Sequence, residues 1–156
     1  MNDKTKSPNV QGVKIWVDTI INEAVSGNPV VIGHIDSIGK IVDKSRNVQK
    51  YTPMNDTQFD EIVSFGSLTQ AAFSMGILYD PESTEGINIV EKAIDDNTKV
   101  QIIIELNNKI SPTGKGTQIK QICGVSNFSV DAPKDGKLLS SFNAEKIGLP
   151  EITSAS

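Results

Sequence analysis

Between residues 67 and 79 the side chains alternate with a period of two: Ala71, Phe73, Met75, Ile77 and Tyr79 on one parity, Gln70, Ala72, Ser74 and Gly76 on the other. The pattern predicts a strand with one apolar face and one small, polar face. At Asp80-Pro81 the period changes to that of a helix, predicted over about residues 82–95. Asp80 suits a cap, Pro81 the first helical position, and Glu82 and Glu85 the positive end of the helix dipole. Ile87, Val90 and Ile94, with Ile89 and Ala93 beside them, form a stripe that must lie on a sheet.

The other segments read mainly as strands. Val13, Ile15 and Val17 alternate with Lys14, Trp16 and Asp18, which predicts a first strand with Asp18 on its polar side. Residues 20–25 are ambiguous and end in the turn signal Ser26-Gly27-Asn28-Pro29. Residues 30–42 predict one long bent strand or two short ones, interrupted at Gly33 and Gly39. Strands follow over 100–106, 117–130 and 137–147; polar turns lie at 107–116 and 131–136, and Leu149-Pro150 is expected to end the last strand. Residues 43–64 have no clear period yet contain Tyr51, Met54, Phe59, Ile62 and Val63. So apolar and so long a loop is expected to bury its side chains against another subunit, unless it packs on its own body. The fold class expected is mainly β: an antiparallel sandwich or barrel with one flanking helix and this long loop. A single domain over 1–156 is expected, with a polar N-terminal arm at 1–11 and a C-terminal tail at 149–156.

Composition narrows the function classes. With 15 basic and 19 acidic residues the net charge is −4, which argues against sequence-independent grip on nucleic acid. The basic side chains Lys40, Lys44, Arg46 and Lys50 cluster just where the long loop begins, a charge asymmetry that could guide one subunit onto another. The single cysteine, Cys123, excludes an intramolecular disulfide, and with one histidine, His34, it cannot build a Cys/His zinc site. No apolar run is long enough to span a bilayer and no signal segment follows Met1, so a soluble chain made in a cytoplasm, without membrane insertion, is expected.

The search for chemistry finds no catalytic set. Thr113-Gly114-Lys115-Gly116 superficially resembles a phosphate loop, but the first glycine position holds Lys109 and the segment enters a strand. His34 has no nucleophile motif near it, and Cys123 reads as a small buried hydrophobe. No enzyme activity and no cofactor is expected. Trp16, on the polar parity of its strand, is a candidate contact anchor.

The ordered set of elements has a resemblance. The strand Ala-Ala-Phe-Ser-Met-Gly-Ile-Leu at 71–78, the Tyr79-Asp80-Pro81 before the helix, the strand at 100–106 and the run Gly-Val-Ser-Asn-Phe-Ser-Val-Asp-Ala-Pro at 124–133 are together similar to the major tail tube protein of long-tailed bacteriophages. That family is related to the tubes of contractile tails and type VI secretion. The resemblance covers somewhat over half the chain; residues 1–65 fit it in outline. It implies a virion protein that forms stacked, commonly six-membered rings around a channel for DNA, with a tape measure protein, a tail terminator and a baseplate as partners. It implies subunit contacts through the long loop, for which Lys44, Arg46, Tyr51, Met54 and Phe59 are candidates beside Trp16. Candidates for the channel wall are Asp36, Lys40, Gln70, Ser74, Gln101 and Glu105. The rival expectation is a monomeric OB-like barrel that binds an oligonucleotide or saccharide; it wants exposed aromatics among basic groups, and aromatics are only 5% of this chain.

Overall fold

A computed structural model describes residues 12–33, 35–52, 62–79, 86–132, 136 and 138–156. Its elements are β1 (Lys14–Ile21), β2 (Ala24–Val25), β3 (Val30–Ile32), β4 (Ile35–Ile38), β5 (Ser45–Tyr51), β6 (Ile62–Thr69), β7 (Phe73–Leu78), α1 (Ile87–Asp96), β8 (Lys99–Glu105), β9 (Gln118–Asp131) and β10 (Leu139–Thr153). All strand pairs are antiparallel, and the main sheet runs β2-β1-β8-β9-β10-β7-β4, with β3 also on β1. β3 and β4 flank opposite ends of this sheet, yet only residues 33–34 separate them. Three residue steps reach at most about 11 Å, so the sheet must curl until its ends approach. The result is the expected β-sandwich with one flanking helix.

The alternation of apolar residues decides what the curl encloses. Ile15 and Val17 of β1, Val100, Ile102 and Ile104 of β8, Phe73, Met75 and Ile77 of β7, and Phe142 and Ala144 of β10 are buried in one cluster, into which α1 inserts Ile87, Val90 and Ala93. Ile94, expected in the same stripe, is half-buried. The helix starts after Gly86, whose backbone lies so close to β1 and β3 that a Cβ there would stand 2.5 Å from Val17 and 2.8 Å from Ile32. Asp80, Pro81, Glu82 and Glu85, the expected start, lie outside the described residues, as does His34.

Several expectations are corrected. The ambiguous residues 20–25 form a tight hairpin, with Asn22 and Glu23 both at positive φ as such a turn requires. The predicted strand 67–79 is two: β6 ends at Thr69, residues 70–72 are irregular, and Ala71 is exposed. Residues 43–64, read as a loop, contain β5 and the start of β6, paired with each other and with no strand of the main sheet. The ribbon has no core to impose an alternation, and a bulge between Arg46 and Val48 breaks what alternation there is. Asp18 is buried despite its polar parity, because the turn after β2 folds over it: Ser26 Oγ and, at 3.1 Å, the Gly27 amide donate to its carboxylate.

Leu149-Pro150 does not end the last strand. Ile147 pairs with Ile122 and Glu151 with Lys120, so residues 148–150 stand opposite the single residue Gln121. In this bulge Pro150 owes no ladder hydrogen bond, Gly148 takes φ +71°, and pairing resumes to Thr153. Gln121, buried, fills the gap by donating its amide to the Ile122 and Ile147 carbonyls, each at 3.0 Å.

Candidate assembly surfaces

The β5–β6 ribbon stands out from the curled sheet and is anchored on both legs to β10. On the leg entering β5, Lys146 Nζ donates to the carbonyls of Lys40 (3.3 Å) and Ile41 (3.1 Å). On the leg leaving β6, Gln70 Nε2 donates to the Gly148 carbonyl at 2.5 Å. Across the ribbon, Ser45 and Thr69 share a hydroxyl bond of 2.7 Å, and Arg46 Nη1 donates to the Gly66 carbonyl at 3.1 Å.

Its register sorts the side chains onto two faces. Val48 opposes Phe65, Lys50 opposes Val63 and Arg46 opposes Leu68, which puts four apolar and two basic side chains on one face. Gln49, Ser64 and Tyr51 lie on the other. All are exposed, Phe65 at 66% and Tyr51 at 56%. A lone two-stranded ribbon is marginally stable in water, and an apolar face on one is a surface that association would bury.

A second surface lies on the outer side of β9, β10, β7 and β4. The register aligns Asn127, Asn143 and Ser74 in one row, and Ser129, Ser141, Gly76 and Ser37 in the next. Between these rows Phe128, Phe142, Met75 and Ile38 point the other way, into the core. Ser129 and Ser141 share a hydroxyl bond of 2.9 Å. Gly76 lies so near Ser37 that a Cβ would stand 2.7 Å from its hydroxyl. The face is polar and made of small uncharged residues, with Asp131 on β9 and Glu145 on β10 exposed further along those strands.

A third surface is largely apolar. Trp16 and Ile103 are cross-strand partners on the outer side of β1 and β8, in a row that continues to Lys120 of β9; in the next row on that face Gln101 of β8 stands beside the partners Ile122 and Ile147 of β9 and β10. Ile103 is buried and Trp16 half-buried, while Ile122 and Ile147 are exposed.

These positions sort the sequence candidates. Arg46 and Tyr51 are on the ribbon, on opposite faces, and Lys44 is exposed just before it; Met54 and Phe59 lie outside the described residues. Trp16 is on the apolar surface, away from the ribbon. Of the channel candidates only Ser74 is on the polar face. Asp36 is exposed where the β4–β7 register shifts. Lys40 pairs with Asp43 at 2.9 Å, and Gln70 is the ribbon anchor. Gln101 and Glu105 are half-buried on β8, where the Glu105 carboxylate accepts the Gly116 amide at 2.9 Å. Sequence reasoning missed Val48, Phe65 and Leu68, though Val63-Ser64-Phe65 alternates. It also missed the mirrored triplets Asn127-Phe128-Ser129 and Ser141-Phe142-Asn143, whose shared pattern was the available signal.

Among the described residues no three His, Cys, Asp or Glu side chains are placed to hold a metal. The Cys123 thiol is pushed up to about 12 by burial, which keeps it protonated and unreactive at neutral pH. Among the described residues no helix is long and apolar enough to cross a membrane.

No protein-family model and no curated protein sequence matches the chain. Solved structures do. A chain of the six-fold-symmetrised anti-feeding prophage baseplate matches at TM-score 0.68 and 12% identity, over 96% of this chain and 97% of that one. The SPP1 tail tube matches at 0.66 and 14%, over 95% and 80%. A chain of the sheath–tube complex of the PVC extracellular contractile injection system matches at 0.68 and 13%, over 97% and 95%. Nearly the whole chain therefore has the fold found in phage tail tubes and contractile injection systems.

Proposed function

We propose that the chain is a structural subunit of a phage tail tube. Copies join side by side into rings of six, the rings stack, and DNA passes along the channel on its way out of the virion. The observation that carries this reading is the likeness in fold to the SPP1 tail tube and the PVC sheath–tube complex over at least 95% of the chain. The ring order rests on the six-fold symmetry of the baseplate structure that contains a chain of this fold.

In this reading the face of Ser37, Ser74, Asn127, Ser129, Ser141 and Asn143 is the channel wall. It offers phosphates hydrogen bonds without cations, so DNA binding releases no counterions and the duplex slides. Asp131 and Glu145 add repulsion at the margins. The ribbon and the Trp16–Ile103–Ile122–Ile147 surface make the contacts between copies. The whole chain acts as one domain, made in the host cytoplasm and resident in the virion tail, with no catalytic role. Its partners are further copies of itself, a tape measure protein inside the tube, and terminator and baseplate rings at the ends.

Negative-stain electron microscopy of concentrated protein tests the reading. Rings or tubes are expected. A monomer at every concentration that binds oligonucleotides or saccharides would replace it with a binding module.

A further inference from the structure

The ribbon needs a surface to receive it, and the same chain carries a complementary one. Between α1 and the β1–β2 hairpin lies a groove of about 490 Å³, lined on its apolar side by Ile20, Ile21, Ile89, Ala93 and Val100. That volume is in the range of sites that admit an aromatic side chain with its neighbours. Ile21, at its mouth, is 59% exposed.

One end of the groove is acidic. Asp96 lines it and Asp95 precedes it, both in the last turn of α1, where no basic residue stands. The carbonyl end of a helix is negative, so carboxylates there are unfavourable until a cation approaches. Neither aspartate forms an ion pair among the described residues, and Lys92, which also lines the groove, is not within salt-bridge distance of Asp96. The ribbon presents the opposite: Phe65, Val48 and Val63 on one face, with Lys50 beside Val63 and, like the aspartates, in no ion pair among the described residues.

The two surfaces sit at opposite ends of the sheet order, the ribbon where β4 and β7 lie, the groove at β1 and β2. A contact between unlike surfaces on two copies is heterologous, and it propagates into a ring or filament instead of closing a dimer. We propose that the ribbon of one copy seats Phe65 in the α1–hairpin groove of a second copy, with Lys50 of the first against Asp96 of the second. This rests on the tube reading and names which surface of the neighbouring copy takes the ribbon.

The test is a charge swap on the full chain, read by light scattering and electron microscopy as the concentration at which assembly begins. Lys50→Glu and Asp96→Lys are both exposed changes and should leave the circular dichroism of the monomer as it is, with Tm unchanged for Lys50→Glu and unchanged or slightly raised for Asp96→Lys, which removes a carboxylate from the negative end of α1. Each is expected to raise the assembly concentration by about fivefold or more, and the double variant to return it close to that of the unchanged chain. Phe65→Ser, also at an exposed site, should abolish assembly without unfolding the monomer. If the single changes have no effect, or the double variant is no better than the worse single, the pairing is wrong while the tube reading stands. If the unchanged chain never assembles, the tube reading falls and the pairing falls with it.

Discussion

The side-chain amide of Gln70 donates to the carbonyl of Gly148 at 2.5 Å, across 78 residues of sequence. The bond ties the exit of the ribbon to the bulge in β10, as Lys146 ties its entry. Two side chains thus tie the base of the ribbon to β10, beside the backbone bond from the Gly39 amide to the Ser74 carbonyl at 2.8 Å. Gln70→Ala should cost about 1 kcal/mol of global stability, the usual net worth of one such bond. Its larger effect should be local. Amide exchange of residues 63–69 is expected to speed up more than that of β8, and equal acceleration in both would show that the anchor is merely part of the core.

Gly148 itself is set by backbone and not by space. It takes φ +71° and a Cβ there would meet nothing within 4 Å. Gly148→Ala is therefore expected to lose about 1–2 kcal/mol through left-handed strain alone. Gly148→Asn, whose side chain tolerates that region, should lose less. Urea unfolding of the two variants gives the comparison, and an Asn variant as unstable as the Ala variant would point to a steric cause.

On β7, neighbouring residues should answer to opposite rules. Phe73 is buried in the core cluster, and Phe73→Ala should cost about 3–5 kcal/mol in lost transfer energy and cavity. Ser74 points outward, and Ser74→Ala should change stability by no more than about 0.5 kcal/mol. Thermal unfolding of both measures the difference.

Much of this contrast was legible in the sequence, because alternation reports which face is buried. Period alone puts Phe73, Met75 and Ile77 on the buried face, and sets the stripe of Ile87, Val90 and Ile94, with Ile89 and Ala93 beside them, against the sheet; Ala71, of the same parity as Phe73, is exposed and Ile94 only half-buried. What the period cannot report is where a strand gains or loses a residue. The bulge at 148–150 places Pro150 inside β10, where a proline reads as an end, and the register break at Arg46 hides β5 and β6. Asp18 was misplaced for a related reason: its parity is polar, but its cover, Ser26 and Gly27, arrives from a turn that only the three-dimensional path brings back. The same limit applies to the candidate surfaces. Ser74 was found because its own strand alternates, while Asn127, Ser129, Ser141 and Asn143 become one face only once the register between β9 and β10 is known.

Cys123 gives a pH dependence with a definite sign. Burial pushes its thiol up to about 12, from the ordinary 9.0 that the unfolded chain keeps. Between those values the unfolded chain has lost the proton and the folded chain still holds it, so this group lowers stability as pH rises through that window and has no effect below it. The stability advantage of the unchanged chain over Cys123→Ala should be constant from pH 6 to 8. Above about pH 9 it should shrink by up to about 1.4 kcal/mol per pH unit. A gap that stays constant to pH 11 would mean that the thiolate is accommodated in the fold.

The polar face gives the prediction closest to function. If Asn143 and its neighbours form the channel wall, the absence of cations is what keeps DNA mobile, and adding cations should reverse that. Asn143→Lys is exposed, so the monomer should keep its stability within about 0.5 kcal/mol. In an assembled tube the change repeats in every subunit, lining the channel with rings of ammonium groups. Such tubes should retain double-stranded DNA at low salt and release it as salt rises, since each phosphate neutralised contributes a slope of about −0.9 to log K against log salt. A lysine in the turn between β8 and β9, at the exposed Ile110, serves as the control: it adds the same charge away from the polar face, the ribbon and the groove. DNA retained equally by both variants would place the polar face outside the channel, and the wall would then have to be sought on another surface of the sheet.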